Sequence, residues 1–293
     1  MSRIIITIPA YNEERTLPKV LEEIKTVMSH SGIKYSLLIV NDGSKDKTVE
    51  VAKKYGATVV SHSRNRGLAE TFKTEMQHCL KMGADIIVHT DADGQYPSHY
   101  IPLMIRKIQN GADLVLGSRF VKGKYSGSLM KKIGNKAFAS VFSGLLKSKI
   151  TDTTTGFRAF NKTVAELPLI NNFTYTQEQL IRVGKANLKI VEIPIRTNRT
   201  RKSRLFRNSF DYALKAWINI LRIYRDFDPL KFFGRISLFF ISLGILLGIY
   251  IVAMIMLTGN TGGTPRVILS MLLILVGIQI GSFGFLADMN RQK

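Results

Sequence analysis

Ile86-Ile87-Val88-His89-Thr90-Asp91-Ala92-Asp93-Gly94-Gln95 is the stretch that decides the fold of this chain. Its apolar start reads as a strand, and the run ends in a pair of carboxylates followed by an amide. Such an end makes a hard, oxygen-rich turn at the carboxyl edge of a sheet, where open α/β sheets bind ligands. Oxygen ligands suit Mg²⁺ or Mn²⁺, ions that commonly bridge protein to phosphate. The stretch therefore points to a metal-dependent enzyme handling a nucleotide diphosphate. Asp is also a common cap and turn residue, so the flanking sequence has to carry the rest.

Upstream, Ile4 to Ile8 is a continuous apolar run stopped by Pro9, as expected of a strand buried on both faces. A helical pattern follows through Leu17, Val20, Leu21, Ile24 and Val27. Leu37 to Val40 is a second strand, ended by Asn41-Asp42-Gly43-Ser44, with Ser44 placed to cap a helix through Tyr55. Val59-Val60 is a short third strand, and a helix from Gly67 to Met82 leads into Ile86. Downstream, a helix from Ser98 to Asn110 leads to a strand at Leu114-Val115-Leu116. Strands alternating with helices of this length predict an α/β fold, a mostly parallel sheet with helices on both faces. In such a sheet Pro9-Ala10-Tyr11-Asn12-Glu13, Asp42 and Asp91/Asp93/Gln95 share one edge. The carboxylates gathered there need cations or donors nearby. The first βα turn has neither G-x-G-x-x-G nor G-x-x-x-x-G-K-[ST], which argues against dinucleotide enzymes and P-loop NTPases.

The 293 residues carry a net charge of +21, from 42 Lys+Arg against 21 Asp+Glu. That excess implies an anionic partner: nucleic acid, a membrane surface or a phosphorylated substrate. Apolar residues concentrate near the C-terminus. Ile236–Leu257 has no charge and Val267–Ala287 is interrupted mainly by Gln279 and small residues. Each is long enough to span a hydrocarbon core. The short Thr258–Arg266 link makes them a helical hairpin, and Gly244, Gly248, Gly277, Gly281 and Gly284 permit close packing and self-association to a homo-oligomer. Lys231, Arg235, Arg291 and Lys293 flank the spans while the connecting loop has only Arg266, so the positive-inside rule puts the N-terminal part and the C-terminus in the cytoplasm. Before the hairpin, Phe206–Phe227 reads as a basic amphipathic helix with Trp217, lying in the membrane interface or packed on the soluble part. The expected organisation is residues 1–205, an interfacial helix over 206–230, and a hairpin over 231–293. Cys79, the only cysteine, reads as a small buried residue, and His62 and His89 as structural.

The order of motifs resembles the inverting family-two glycosyltransferases of GT-A fold, and most closely the polyprenyl-phosphate glycosyltransferases such as dolichol-phosphate mannose synthases. The motifs run Ile8 to Glu13; Asn41-Asp42-Gly43-Ser44; Asn65-Arg66-Gly67; Asp91-Ala92-Asp93-Gly94-Gln95; Gly117-Ser118-Arg119; Thr155-Gly156-Phe157-Arg158-Ala159; and Glu192-Ile193-Pro194. The resemblance implies that Pro9, Tyr11, Glu13 and Asp42 hold the nucleotide. It implies that Asp93 and Gln95 bind Mg²⁺ or Mn²⁺ on the diphosphate, with Asp91 beside them on sugar or nucleotide. Arg119 would approach the reacting phosphates. Lys131 and Asn135 fall where the family often has Arg and Ser or Asn for the acceptor phosphate. Arg199 and Ser203 match an R-x-x-G-x-S loop closing over donor and acceptor. Arg201 replaces the Gly of that loop, and Lys131 lacks the bidentate geometry of Arg.

The implied partners are a nucleotide-sugar donor, with GDP-mannose first and then UDP-glucose or UDP-N-acetylhexosamine, a polyprenyl phosphate acceptor and the bilayer. Another lipid acceptor, such as a diacylglycerol, stays open. A non-catalytic membrane scaffold is a different class, against which intact Asp91, Asp93, Gln95 and Arg119 argue. A nucleic-acid binder would explain the charge but neither the hairpin nor the acidic strand ends. Locally, Asp42 before Gly43 also suits a plain turn, and Arg158 also reads as a structural ion-pair partner.

Overall fold

The computed structural model describes residues 2–120, 150–169, 175–198, 228–259 and 263–291, with isolated positions between 218 and 225. The chain forms two compact units, residues 1–209 and 210–293.

The first unit is built on a seven-stranded sheet. The strands are β1 (Ile4–Ala10), β2 (Ser36–Asn41), β3 (Thr58–Ser61), β4 (Ile86–His89), β5 (Leu114–Ser118), β6 (Arg158–Asn161) and β7 (Ile190–Pro194). Their order is β3-β2-β1-β4-β6-β5-β7. Only β6 runs antiparallel, against both β4 and β5. Sequence alternation gave no sign of this strand, because its four residues sit between a Thr-rich loop and a helix start. The helices are α1 (Leu17–Ser31), α2 (Thr48–Lys54), α3 (Leu68–Lys81), α4 (Ile101–Gln109), α5 (Lys162–Ala165) and α6 (Tyr175–Lys185).

The period-2 geometry of β1 divides the core. Ile4, Ile6 and Ile8 pack with Leu17, Leu21 and Ile24 of α1 and with Met104 and Ile105 of α4. On the opposite face Phe72 of α3 stacks on Tyr175 of α6 at 4.3 Å and tilts against Phe160 of β6. The helices thus cover both faces, as the continuous apolar strands require. One local expectation is corrected: α2 starts at Thr48, with the Asp46 carboxylate accepting from the Thr48 N–H at 3.0 Å. Ser44 instead accepts from the Asn12 N–H at 2.9 Å, tying the ends of β1 and β2 together.

Register sets the functional edge. Ala10 pairs with Asn41, Asn41 with Ser61, and Thr7 with His89. Strand order reverses at β1, with β2 on one side and β4 on the other. The turns after β1, β2 and β4 therefore open at one carboxyl edge, at a switch point.

In the second unit α7 (Pro229–Thr258) and α8 (Thr264–Arg291) are long and apolar enough to cross a membrane. They pack on each other through the glycines. A Cβ on Gly277 would fall 2.6 Å from Ile241 Cγ1, and one on Gly244 would fall 2.7 Å from Ile274 Cγ1. The Ser270 hydroxyl donates to the Gly244 carbonyl at 2.8 Å. The glycines expected to support self-association are thus engaged inside the hairpin.

Candidate functional site

The turn after β1 is held by β2's turn. Asn12 adopts φ +53°, and its side-chain oxygen accepts from the Lys45 N–H at 2.9 Å. The buried Glu13 donates its backbone N–H to Thr48 Oγ1 at 2.9 Å and accepts from the Thr16 hydroxyl. These bonds leave Tyr11 on the surface, 38% exposed, beside a partly buried Pro9 at the strand end.

Asp42 is buried and strongly committed. Its Oδ1 accepts from His62 Nδ1 at 2.7 Å and from the Arg66 N–H at 2.8 Å, and its Oδ2 accepts from the Gly67 N–H at 2.9 Å. The other nitrogen of His62 meets Thr74 Oγ1 at 2.9 Å, so His62 has the structural position expected. Asp42 therefore shapes the Asn65-Arg66-Gly67 turn, whose Arg64, Asn65 and Arg66 line an open polar concavity with Glu70. Gly43 permits this: at φ +74° a Cβ would lie 2.6 Å from the Arg64 carbonyl carbon.

Beyond β4, Asp93 Oδ1 accepts from the Gln95 N–H at 2.9 Å, shaping a tight turn with Gly94 at φ +73°. Asn198, just past β7, clasps that turn: its N–H donates to the Gln95 carbonyl at 2.9 Å and its amide to the Gly94 carbonyl at 3.0 Å. Asp91 accepts no hydrogen bond among the described residues. Its oxygens lie 3.3 Å from where a Cβ on Gly156 would be. Withdrawal from water pushes the Asp91 carboxyl up to about 6, with Asp93 and Glu75 adding to the rise while His89 and Arg119 oppose it. Tyr96, pushed up to about 12 by burial, accepts from the Gly156 N–H at 3.2 Å and stacks on Phe157 at 5.3 Å.

These oxygens fit a divalent cation only in part. Among the described residues no group of three or more His, Cys, Asp or Glu side chains is arranged to hold one. The carboxylates share one edge, and Asp42 is engaged by its own turn. Asp93 and Gln95, with the Asp91 carboxylate that accepts no hydrogen bond among the described residues, are oxygen groups of the kind that suit a hard ion.

Arg119 follows β5. Its Nε donates to Asp152 Oδ2 at 2.7 Å and its Nη2 to Asp152 Oδ1 at 2.9 Å and Thr154 Oγ1 at 2.8 Å. Glu192 of β7 holds the Asp152 loop from behind. Neither Asp152 nor Thr154 stood out in a Thr-rich stretch; the available signal was that Arg119, at a buried strand end, needs a counter-charge. Arg158 is fully buried and, among the described residues, is not an ion-pair partner. It donates to the carbonyls of Thr155, Thr176 and Thr153 and to Gln179 Oε1, with no carboxylate bonded to it among the described residues. Burial lowers its pKa to about 10, so it stays charged at neutral pH. Lys131, Asn135, Arg199 and Ser203, and most of the expected interfacial helix, lie outside the described residues.

Comparison with known proteins agrees with this architecture. The dolichyl-phosphate hexose transferase of Haloferax volcanii is 31% identical over 66% of this chain and 81% of its own length. The UDP-N-acetylglucosamine–dolichyl-phosphate N-acetylglucosaminyltransferase of Methanococcus voltae is 30% identical over 68% of this chain and 87% of its own length. The dolichol-phosphate mannosyltransferase of Pyrococcus furiosus is 32% identical over 66% of this chain, but the match spans 55% of its length. Among solved structures, mannosyl-3-phosphoglycerate synthase from Rubrobacter xylanophilus superposes with a TM-score of 0.59 at 18% identity, covering 75% of this chain and 74% of that one. Glucosyl-3-phosphoglycerate synthase from Mycobacterium tuberculosis, solved with Mn²⁺ and UDP, also gives 0.59 at 18%, covering 76% and 78%. The Glycosyl transferase family 2 description matches residues 5–167. With that span and these relatives, the chain belongs to glycosyl transferase family 2 and has a GT-A-like fold.

Proposed function

We propose that this family-two enzyme is a membrane-anchored inverting transferase. It moves one sugar from a nucleotide-sugar, GDP-mannose first and UDP-glucose or UDP-N-acetylhexosamine next, to a polyprenyl phosphate. The observation that carries the reading is an acidic, amide-bearing turn at the sheet's switch point in a chain that also has a tightly packed apolar hairpin. The names of the relatives that act on dolichyl phosphates support the acceptor class.

In this reading Pro9, Tyr11 and Glu13 hold the nucleotide, and Asp42 supports them by shaping the neighbouring turn. Asp93 and Gln95 would hold Mg²⁺ or Mn²⁺, with Asp91 beside them on the donor sugar or nucleotide. The cation, when bound, neutralises charge on the diphosphate leaving group. The acceptor phosphate carries about −1.5 to −2 charges at pH 7, so it is already nucleophilic. One of its oxygens attacks the anomeric carbon, and the bond to the nucleoside diphosphate breaks with its electrons going to that group. The sugar is inverted. Arg119, Lys131 and Arg199 offset the charge of the anions and orient them, with Asn135 and Ser203 on the acceptor phosphate, bringing two like charges to reacting distance. The proposed organisation is a catalytic part over residues 1–205, an interfacial helix over 206–230 and spans over 236–257 and 267–287, with both termini cytoplasmic. It keeps the site at headgroup level, where a polyprenyl phosphate presents its phosphate.

The test is transfer of radiolabel from a panel of GDP- and UDP-sugars to polyprenyl phosphate by purified protein in detergent, with Mn²⁺ or Mg²⁺. Metal-dependent label in the lipid phase from one donor, lost in Asp93→Ala and with EDTA, is the expected result. Donor binding without transfer to polyprenyl phosphate would sink the acceptor assignment in favour of another lipid.

A further inference from the structure

Arg119 is more heavily constrained than a phosphate-facing arginine needs to be. Three of its nitrogen atoms, backbone N, Nε and Nη2, reach one carboxylate, that of Asp152, at 3.2, 2.7 and 2.9 Å. Thr154 Oγ1 accepts from Nη2 as well, at 2.8 Å. The Asp152 side chain is fully buried, while that of Arg119 keeps 19% of its surface exposed at the strand end. Asp152 is itself anchored. The Glu192 carboxylate accepts from the Asp152 N–H at 3.0 Å, from the Thr151 N–H at 2.9 Å and from the Thr151 hydroxyl at 2.7 Å. The Ser118 hydroxyl, next to Arg119, meets Thr151 Oγ1 at 2.7 Å. A continuous set of bonds thus runs from β7 through the 151–152 backbone to the guanidinium.

Pairing with a carboxylate subtracts from the positive charge that Arg119 offers to an anion. What the pairing adds is orientation, because a bidentate carboxylate fixes the plane of a guanidinium. We propose that Asp152 is a positioning residue for sugar transfer: anchored by Glu192, its carboxylate holds Arg119 in the orientation that meets the reacting phosphates. This rests on the role of Arg119 in the reading above. An interaction realised chiefly in the transition state affects kcat more than KM.

The experiment is a double-mutant cycle on the full chain with Arg119→Ala, Asp152→Asn and the double variant, measuring kcat, donor KM and thermal midpoint. Asp152→Asn is expected to lower kcat roughly tenfold with donor KM within about twofold. In the Arg119→Ala background the same change should alter kcat by less than about twofold, because the two side chains act as one unit. Additive losses in kcat, or coupling seen only in thermal midpoint, would show a purely structural ion pair and overturn the proposal. Where Asp152→Asn does not fold, Thr154→Val replaces it, with a loss of roughly threefold expected alone and none beside Arg119→Ala. A wild-type protein that transfers sugar to no polyprenyl phosphate would instead refute the proposed function. The same cycle is then read on kcat for transfer to another lipid acceptor, such as a diacylglycerol, where absence of coupling overturns the positioning role.

Discussion

Asp91 shows how one residue's environment sets a testable pH dependence. Its folded pKa of about 6 lies above the ordinary value of 3.8. Between those values the folded state binds more protons than the unfolded one, so stability is greatest below pH 4 from this group and is lost as pH rises through 6. In metal-free protein, Asp91→Asn is expected to flatten that slope and to be about 1–2 kcal/mol more stable above pH 7, once partial exposure is allowed for. Thermal midpoints from pH 4 to 8 with EDTA check this; an unchanged slope would show that the carboxylate is well solvated. Arg158 makes the opposite case. Arg158→Met removes the donors to Thr153, Thr155, Thr176 and Gln179 and leaves buried acceptors unmatched. A loss of about 3 kcal/mol or more is expected in chemical denaturation.

At the scale of elements, the site is an assembly of turns clipped to one another across strands. Gly43 is where that clipping is tightest, since both its positive φ and the 2.6 Å approach to Arg64 exclude a side chain. Gly43→Ala is expected to cost roughly 2–3 kcal/mol and to move the Asn65–Gly67 turn away from Asp42. Nucleotide binding should weaken with it, as titration calorimetry with UDP and GDP would show; unchanged binding would separate this turn from the donor site. The sequence's period-2 and helical patterns located β1 to β5 and α1 to α4, because each buries an apolar face. Strand β6 and helix α5 escaped because each is only four residues long, and the burial of β6 comes from partners far along the chain, such as Phe72 against Phe160.

At the scale of the molecule, the two units allow the chain to be divided experimentally. Removing residues 229–293 is expected to leave the sheet folded and transfer to a short, water-soluble polyprenyl phosphate largely intact. Transfer to a long-chain acceptor in bilayers should fall about tenfold or more, because co-localisation on the membrane is lost. Equal loss on both acceptors would show that the hairpin has a role beyond anchoring. Within the hairpin, Gly277→Leu should separate α7 from α8, since Ile241 already lies against the bare α-carbon. Cysteine crosslinking between the helices would register the separation.

The sequence alone determined the alternation of strands and helices, the apolar hairpin, and the acidic and amide groups at the strand ends. Apolar periodicity and chain length are local properties, and each forces its own burial or exposure. Only the tertiary structure decided which of these groups stand together. It assigned Asp42 to the Arg66–Gly67 turn, Asp152 to Arg119, and the hairpin glycines Gly244 and Gly277 to Ile274 and Ile241 of the facing helix. Hydrogen bonds and close packing depend on angstrom-scale approach between residues separated by tens of positions, and no local pattern in the chain encodes that approach.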